Sequence, residues 1–211
     1  MSSKTRATNK QPPAPGDNAV HLCIDMQRLF GAAGIWPTPW MERVLPVVAT
    51  LAGHYPQRTV FTRFIPPQSA DDMPGMWRRY YTRWRCATRD VIDPALIELD
   101  PALAHYAPPA EVIDKTRYSA FSAPALLPFL TERHVDTLIV SGSETDVCVV
   151  ASVLDAVDLG FRTIVVRDAI CSSSDAGHDA LMTLYETRFS EQIAIADAAE
   201  IMALWAPARA A

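Results

Sequence analysis

Residues 135–169 read "VDTLIVSGSETDVCVVASVLDAVDLGFRTIVVRDA". The stretch opens on a continuous apolar run, "VDTLIVSG" (135–142), the pattern of a strand buried on both faces. It continues as "DVCVVASVLDAVDLG" (146–160), with apolar residues at helical spacing and Gly160 as a C-terminal stop. A second apolar run follows, "FRTIVVRDA" (161–169). Strand, helix and strand in succession predict two parallel strands joined by a right-handed crossover.

The same alternation extends in both directions. Upstream, "AVHLCID" (19–25), "RTVFTRF" (58–64) and "AEVIDK" (110–115) read as strands. Residues 39–55 have helical spacing that Pro46 would kink or divide. Residues 122–134 read as a helix capped by Ser122. Downstream, helices are expected over 175–189 and 197–205, with a strand over 191–196 between them. The expected fold is a three-layer α/β/α sandwich around a mainly parallel, roughly six-stranded Rossmann-like sheet. Residues 1–18 are rich in Pro, Asn, Lys and Ser and read as a flexible tail. Residues 19–211 are then one domain.

Composition narrows the function classes. The 211 residues are 49% hydrophobic and 20% charged, with a net charge of -5. That balance suits a globular protein and argues against nucleic acid or an anionic membrane as the main partner. No apolar run is long enough to span a bilayer. The N-terminus is basic and polar with no apolar segment behind it, so no secretory signal is expected there. Four cysteines, Cys23, Cys86, Cys148 and Cys171, are too sparse for a disulfide scaffold. A reducing cytoplasm is the expected compartment.

Three polar residues fall where such folds bind ligands, at the carboxyl ends of strands. Asp25 ends the first strand in "CIDMQ", Lys115 ends the third in "VIDKTRYSAF", and Cys148 follows the fourth on the first turn of a helix. A thiol at a helix N-terminus beside an ammonium is expected to have a lowered pKa. A carboxylate nearby can take the thiol proton and return it to a leaving group. Amides of the turn before Cys148 can hold an oxyanion. Each residue also has a plainer use: Cys148 as core packing, Asp25 as a cap, Lys115 as a solvated surface residue. Lys4, Lys10 and Lys115 are the only lysines, so a lysine among so many arginines points to a need for a compact ammonium. Thr145 and Asp146 are placed to cap the Cys148 helix. His21, His54, His105, His134 and His178 are scattered, and no cysteine pair has a metal-ligand spacing.

The stretches "CIDMQ", "DKTRYSAF", "SGSETDVCVVASVLDAVDLGF" and "VVRDAICSSSDAGHDALM" resemble, in order and spacing, the isochorismatase-like cysteine hydrolase superfamily. Its members include nicotinamidases, N-carbamoylsarcosine amidases and related amide or ureide hydrolases. The resemblance implies an Asp-Lys-Cys catalytic triad at Asp25, Lys115 and Cys148. It also implies a cis peptide between Ser143 and Glu144, and an oxyanion hole from the amides of Glu144 and Cys148. The implied activity is cleavage of a C–N bond in a small amide or ureide through a thioester, without a cofactor. Members are often dimers or tetramers, so a homo-oligomer is expected.

Departures from the family pattern matter too. Nicotinamidases carry an Asp/His metal site after the second strand, whereas here that place reads "TRFIPPQSADD" (62–72), without histidine. No metal is therefore expected. Isochorismatases proper cleave a vinyl ether without the cysteine; that chemistry, with Asp25 as the acid, is one alternative. A thiol-redox protein and a non-catalytic binding protein on the same scaffold are others. The segment "MPGMWRRYYTRWR" (73–85) reads either as a lid whose arginine grips a substrate carboxylate or as a subunit contact. Phe30, Phe64, Trp84 and Tyr118 are the candidate pocket residues.

Overall fold

A computed structural model describes residues 14–205. Six strands form a single, wholly parallel sheet: β1 (Ala19–Ile24), β2 (Thr59–Phe64), β3 (Glu111–Lys115), β4 (Thr137–Ser143), β5 (Arg162–Cys171) and β6 (Ile193–Ala196). Their order across the sheet is β3-β2-β1-β4-β5-β6. The helices are α1 (Met41–His54), α2 (Gly75–Arg83), α3 (Pro101–Ala104), α4 (Leu126–Glu132), α5 (Val150–Asp158), α6 (Asp175–Thr187) and α7 (Ala198–Leu204).

Alternation along the strands explains the layering. Ala19, Cys23, Phe61, Ile139 and Ile164 face one core with α1, α3 and α7. Val20, Leu22, Ile24, Leu138 and Val165 face the other, with α4, α5 and α6. Successive strand side chains point to opposite faces, so strands covered on both sides are apolar throughout. This is the expected three-layer sandwich.

The chain builds outward from β1 through β2 to β3, then crosses back to place β4 on the other side of β1. The carboxyl ends of β1 and β4 therefore flank the point where the strand order reverses, a crevice suited to ligands. Ile24 pairs with Gly142 there. Gly142 has φ of 116°, and a Cβ on it would lie 2.1 Å from the Ile24 carbonyl oxygen. Only glycine lets β4 run this close to β1 and then turn away.

Several boundaries differ from the sequence reading. Pro46 lies inside α1, which nonetheless runs unbroken from Met41 to His54. Ser122 does not cap a helix. Ser119 accepts from the Phe121 amide to start a 3₁₀ turn over Ala120–Ser122, and α4 begins only at Leu126, with no side-chain cap. Pro124 explains the delay, because a residue before proline avoids helical geometry, and Ala123 is extended with ψ of 118°. Of the expected N-terminal tail, residues 1–13 lie outside the described residues. Pro15 is buried, and Arg162 donates to the Ala14 carbonyl at 2.8 Å.

Gly142→Ala is expected to cost about 3 kcal/mol or more, from positive-φ strain together with overpacking. Chemical denaturation would measure it; a loss below about 1 kcal/mol would mean that β1 and β4 separate easily.

Candidate active site

The strand ends bring three distant residues together. Asp25 leaves β1 with φ of 50°, a left-handed conformation that Asp tolerates better than most residues. Its backbone then turns tightly, with the Gln27 amide donating to the Asp25 carbonyl at 2.8 Å. Lys115 ends edge strand β3, and its side chain passes over the Phe64 ring, with Nζ 5.2 Å from the ring centroid. Nζ reaches Asp25 Oδ2 at 2.6 Å, and both side chains are wholly buried. The ammonium also donates to the Arg117 and Tyr118 carbonyls, each at 2.9 Å.

The two carboxylate oxygens differ. Oδ1 accepts from the Thr62 hydroxyl at 2.7 Å, and the same hydroxyl accepts from the Asp25 amide at 3.2 Å. Oδ2 sits 2.6 Å from the ammonium, and no backbone amide or hydroxyl donates to it. The contact is thus an ion pair that leaves Oδ2 capacity to accept a proton. The charges of both Asp25 and Lys115 act on the Cys148 thiol, which lies beside them.

Cys148 does not begin an ordinary helix. Thr145–Val149 form a π turn that runs into α5, and the amides of Val147 and Val149 both donate to the Glu144 carbonyl. Wide turns of this kind concentrate at functional sites. The peptide between Ser143 and Glu144 is cis. Thr145 and Asp146 do not cap the turn. Thr145 shares a hydrogen bond with His178 Nδ1 at 2.9 Å, tying the cysteine turn to α6, and Asp146 accepts from Ser172 at 2.6 Å, tying it to the loop after β5. Gly177 makes room for this, since a Cβ there would meet Asp146 Oδ2 at 2.0 Å.

The expected lowering of the thiol pKa is overturned. Burial pushes the Cys148 thiol up and the Asp25 carboxylate adds to the rise, against opposition from Lys115. A helix terminus contributes about 1 kcal/mol, whereas desolvation of a fully buried group reaches several pKa units. For Lys115, burial favours the neutral amine, but the Asp25 and Cys148 charges outweigh it and the pKa is raised. The resting site is a neutral thiol beside an ion pair.

Above the thiol lies a cavity of about 330 Å³. Phe30, Phe64, Trp84 and Tyr118 all line it. So do Trp36, Trp77 and Tyr80, which sequence reasoning did not single out. Trp36 is the hub of this wall, with its ring centroid within 6.2 Å of those of Phe30, Phe64, Tyr80 and Trp84. The spacing of Trp77, Tyr80 and Trp84 puts them on one face of α2, a signal present in the sequence. The arginines of the same helix point away. Arg78 donates to the Met73 and Asp71 carbonyls, and Arg78, Arg79 and Arg83 line a separate, shallow surface hollow. The expected arginine grip on a substrate carboxylate is thus absent from the cavity wall: the aromatic face of α2 packs inward and its basic face meets water.

The isochorismatase domain family matches residues 19–197 of this sequence. The chain belongs to the isochorismatase family. It is 33% identical over 141 residues to the maleamate amidohydrolase of Pseudomonas putida, covering 64% of this chain and 61% of that protein. It is 48% identical over 59 residues to an N-carbamoylsarcosine amidase of Arthrobacter sp, covering 28% of this chain and 22% of that one. Less than two thirds of either relative is therefore spanned. Among solved structures, a cysteine hydrolase from Pseudomonas syringae pv. phaseolicola superposes with a TM-score of 0.79 at 21% identity, covering 93% of this chain and 97% of that one. Nicotinamidase/pyrazinamidase PncA from Bacillus subtilis does so with a TM-score of 0.69 at 23% identity, covering 84% and 99%.

Two further residues of this isochorismatase-family site escaped the sequence reading. Thr62 looked like an ordinary member of an apolar strand. Gln27 stood in the quoted motif without a role. Its amide donates to the Phe64 and Ile97 carbonyls and accepts from the Phe64 amide, fixing the strand end that carries the Phe64 ring. His21 is a neutral core residue held between Ser141 and Thr59, with burial lowering its pKa to about 3. Among the described residues, no group of three or more His, Cys, Asp or Glu is arranged to hold a metal ion. No helix among them is long and apolar enough to cross a membrane.

Lys115→Met leaves a buried carboxylate uncompensated and is expected to cost about 3–5 kcal/mol in a denaturation experiment. Adding Asp25→Asn should recover part of that loss. Strictly additive costs would show that the two groups do not interact.

Proposed function

We propose that this isochorismatase-family protein hydrolyses a small amide or ureide, with Cys148 as nucleophile and a thioester intermediate. The observation that carries the reading is the wholly buried Asp25–Lys115 pair at 2.6 Å beside the Cys148 thiol, with no amide or hydroxyl donating to Asp25 Oδ2. The names of the two amide-hydrolysing relatives support the bond type.

The sequence of steps follows from the charges. A carbonyl carbon enters the cavity above Cys148. Sulfur attacks it as Asp25 takes the thiol proton, so no free thiolate is needed beforehand. The developing oxyanion is met by the amides of Glu144 and Cys148. Asp25 then delivers its proton to the departing nitrogen, and the C–N bond breaks to leave a thioester. Water attacks that thioester, giving a proton to Asp25, and the acid leaves as the thiol is restored. Lys115 stays protonated throughout and balances the charge moving between Asp25 and sulfur. Phe30, Phe64, Trp84 and Tyr118 would contact the substrate.

Ammonia release from a panel of small amides and ureides tests the reaction, with wild type beside Cys148→Ala. Release by wild type alone is expected; equal release by both proteins would remove Cys148 from the chemistry. Alkylation by iodoacetamide tests the role of Asp25. The carboxylate raises the thiol pKa, so removing its charge lowers that pKa and increases the thiolate fraction at neutral pH. Asp25→Asn should therefore alkylate about tenfold faster or more, while hydrolysis falls by about 10²–10⁴. Unchanged hydrolysis in Asp25→Asn would contradict the assigned proton path, and slower alkylation would show that Asp25 deprotonates the thiol more than its charge opposes ionisation.

A further inference from the structure

The wall of the cavity above Cys148 carries information about charge. Seven of its ten lining residues are aromatic. A wall of rings desolvates what it holds, so it favours apolar groups over anions that find no cation there. The one Asp, Glu, Lys, Arg or His residue in the lining is Glu144. It is half-buried, and its Oε2 accepts from the Ser173 amide at 2.8 Å.

Among the described residues, no arginine lines the cavity beside it. Arg78, Arg79 and Arg83 lie on the outer face of α2. Arg117 stacks over Trp77 at 5.4 Å and donates to the Thr116 carbonyl, outside the lining. Lys115 is wholly buried and already committed to Asp25 and two carbonyls. Burial raises the phenol pKa of both Tyr80 and Tyr118. They offer neutral hydroxyl groups and no positive charge.

Building on the hydrolase reading above, we infer that the cavity selects amides whose acyl part is aromatic or apolar and carries no negative charge. A carboxylate there would be desolvated against ring faces, close to Glu144 and without a cation. Maleamate and N-carbamoylsarcosine, which name the two relatives, both bear a carboxylate. The inference thus separates this chain from them in substrate class. A volume of about 330 Å³ fits a ligand of one ring with a short extension.

Three ligands of one shape provide the test: benzamide, 4-carbamoylbenzoate and 4-(aminomethyl)benzamide. Their binding to the full chain carrying Cys148→Ala would be measured by calorimetry, and ammonia release by the wild type would be followed in parallel. The neutral and cationic amides should bind at least about tenfold tighter than the carboxylate. Glu144→Gln should narrow that gap by about fivefold, with benzamide changed less than about twofold. Tyr118→Arg keeps the backbone carbonyl that holds Lys115 and adds a cation at the cavity mouth; it should raise affinity for 4-carbamoylbenzoate, and it serves if the Glu144 variant misfolds. Equal or tighter binding of the carboxylate by the unaltered cavity would overturn the inference, as would no detectable binding of the other two at millimolar concentration. The hydrolase reading fails separately: if the binding order holds but the wild type releases no ammonia from any panel, the cavity's charge preference stands and the chemistry does not.

Discussion

The ion pair between Asp25 and Lys115 governs the architecture around it. Two charged groups at 2.6 Å with no exposed surface carry a desolvation cost of several kcal/mol each. Their attraction offsets that only when the remaining polar atoms are also placed. Thr62 holds one carboxylate oxygen, and the carbonyls of Arg117 and Tyr118 hold the ammonium. These partners come from β2 and from the loop after β3, so the pair welds three strand ends and a loop into one body. The loop so fixed carries Tyr118 to the cavity.

Cys148 completes this arrangement from the other side of the switch point. Its strand, β4, touches β1 closely enough that Gly142 admits no side chain. Its turn is anchored to α6 through Thr145–His178 and to the loop after β5 through Asp146–Ser172. Ser152, one helical turn on, accepts from the Ala120 amide and donates to the Cys148 carbonyl. The thiol is thus positioned by contacts on several sides. Its high pKa is the electrical consequence of the same burial, and it makes the adjoining carboxylate a functional necessity under the proposed chemistry rather than an accessory.

The segment between β2 and β3 plays a different part. It adds no strand to the sheet, and its helix α2 supplies Trp77 and Tyr80 to the cavity wall, with Trp84 just beyond its end. The polar strand edge and the aromatic wall are thus built by different segments of the chain. Under the proposed chemistry, the first acts on the bond and the second holds what lies over it.

Much of this was legible beforehand, for physical reasons. Continuous apolar runs identified β4 and β5, since a strand buried on both faces has no polar side to show. Asp25, Lys115 and Cys148 stood out as polar residues closing apolar strands. What a linear pattern could not convey was distance and dielectric. Thr62 and Gln27 act through partners dozens of positions away, and nothing local marks them. The arginines and aromatics of residues 73–85 were visible together, yet only the packing of α2 turned the rings inward and the guanidinium groups to water. The thiol was expected to ionise easily because its helical position was readable and its burial was not. Sequence alone determined the order of elements and the chemical types at their ends, because these follow from local periodicity. Tertiary structure alone decided the state of those groups, because burial and neighbouring charge exist only once separate strands have been brought together.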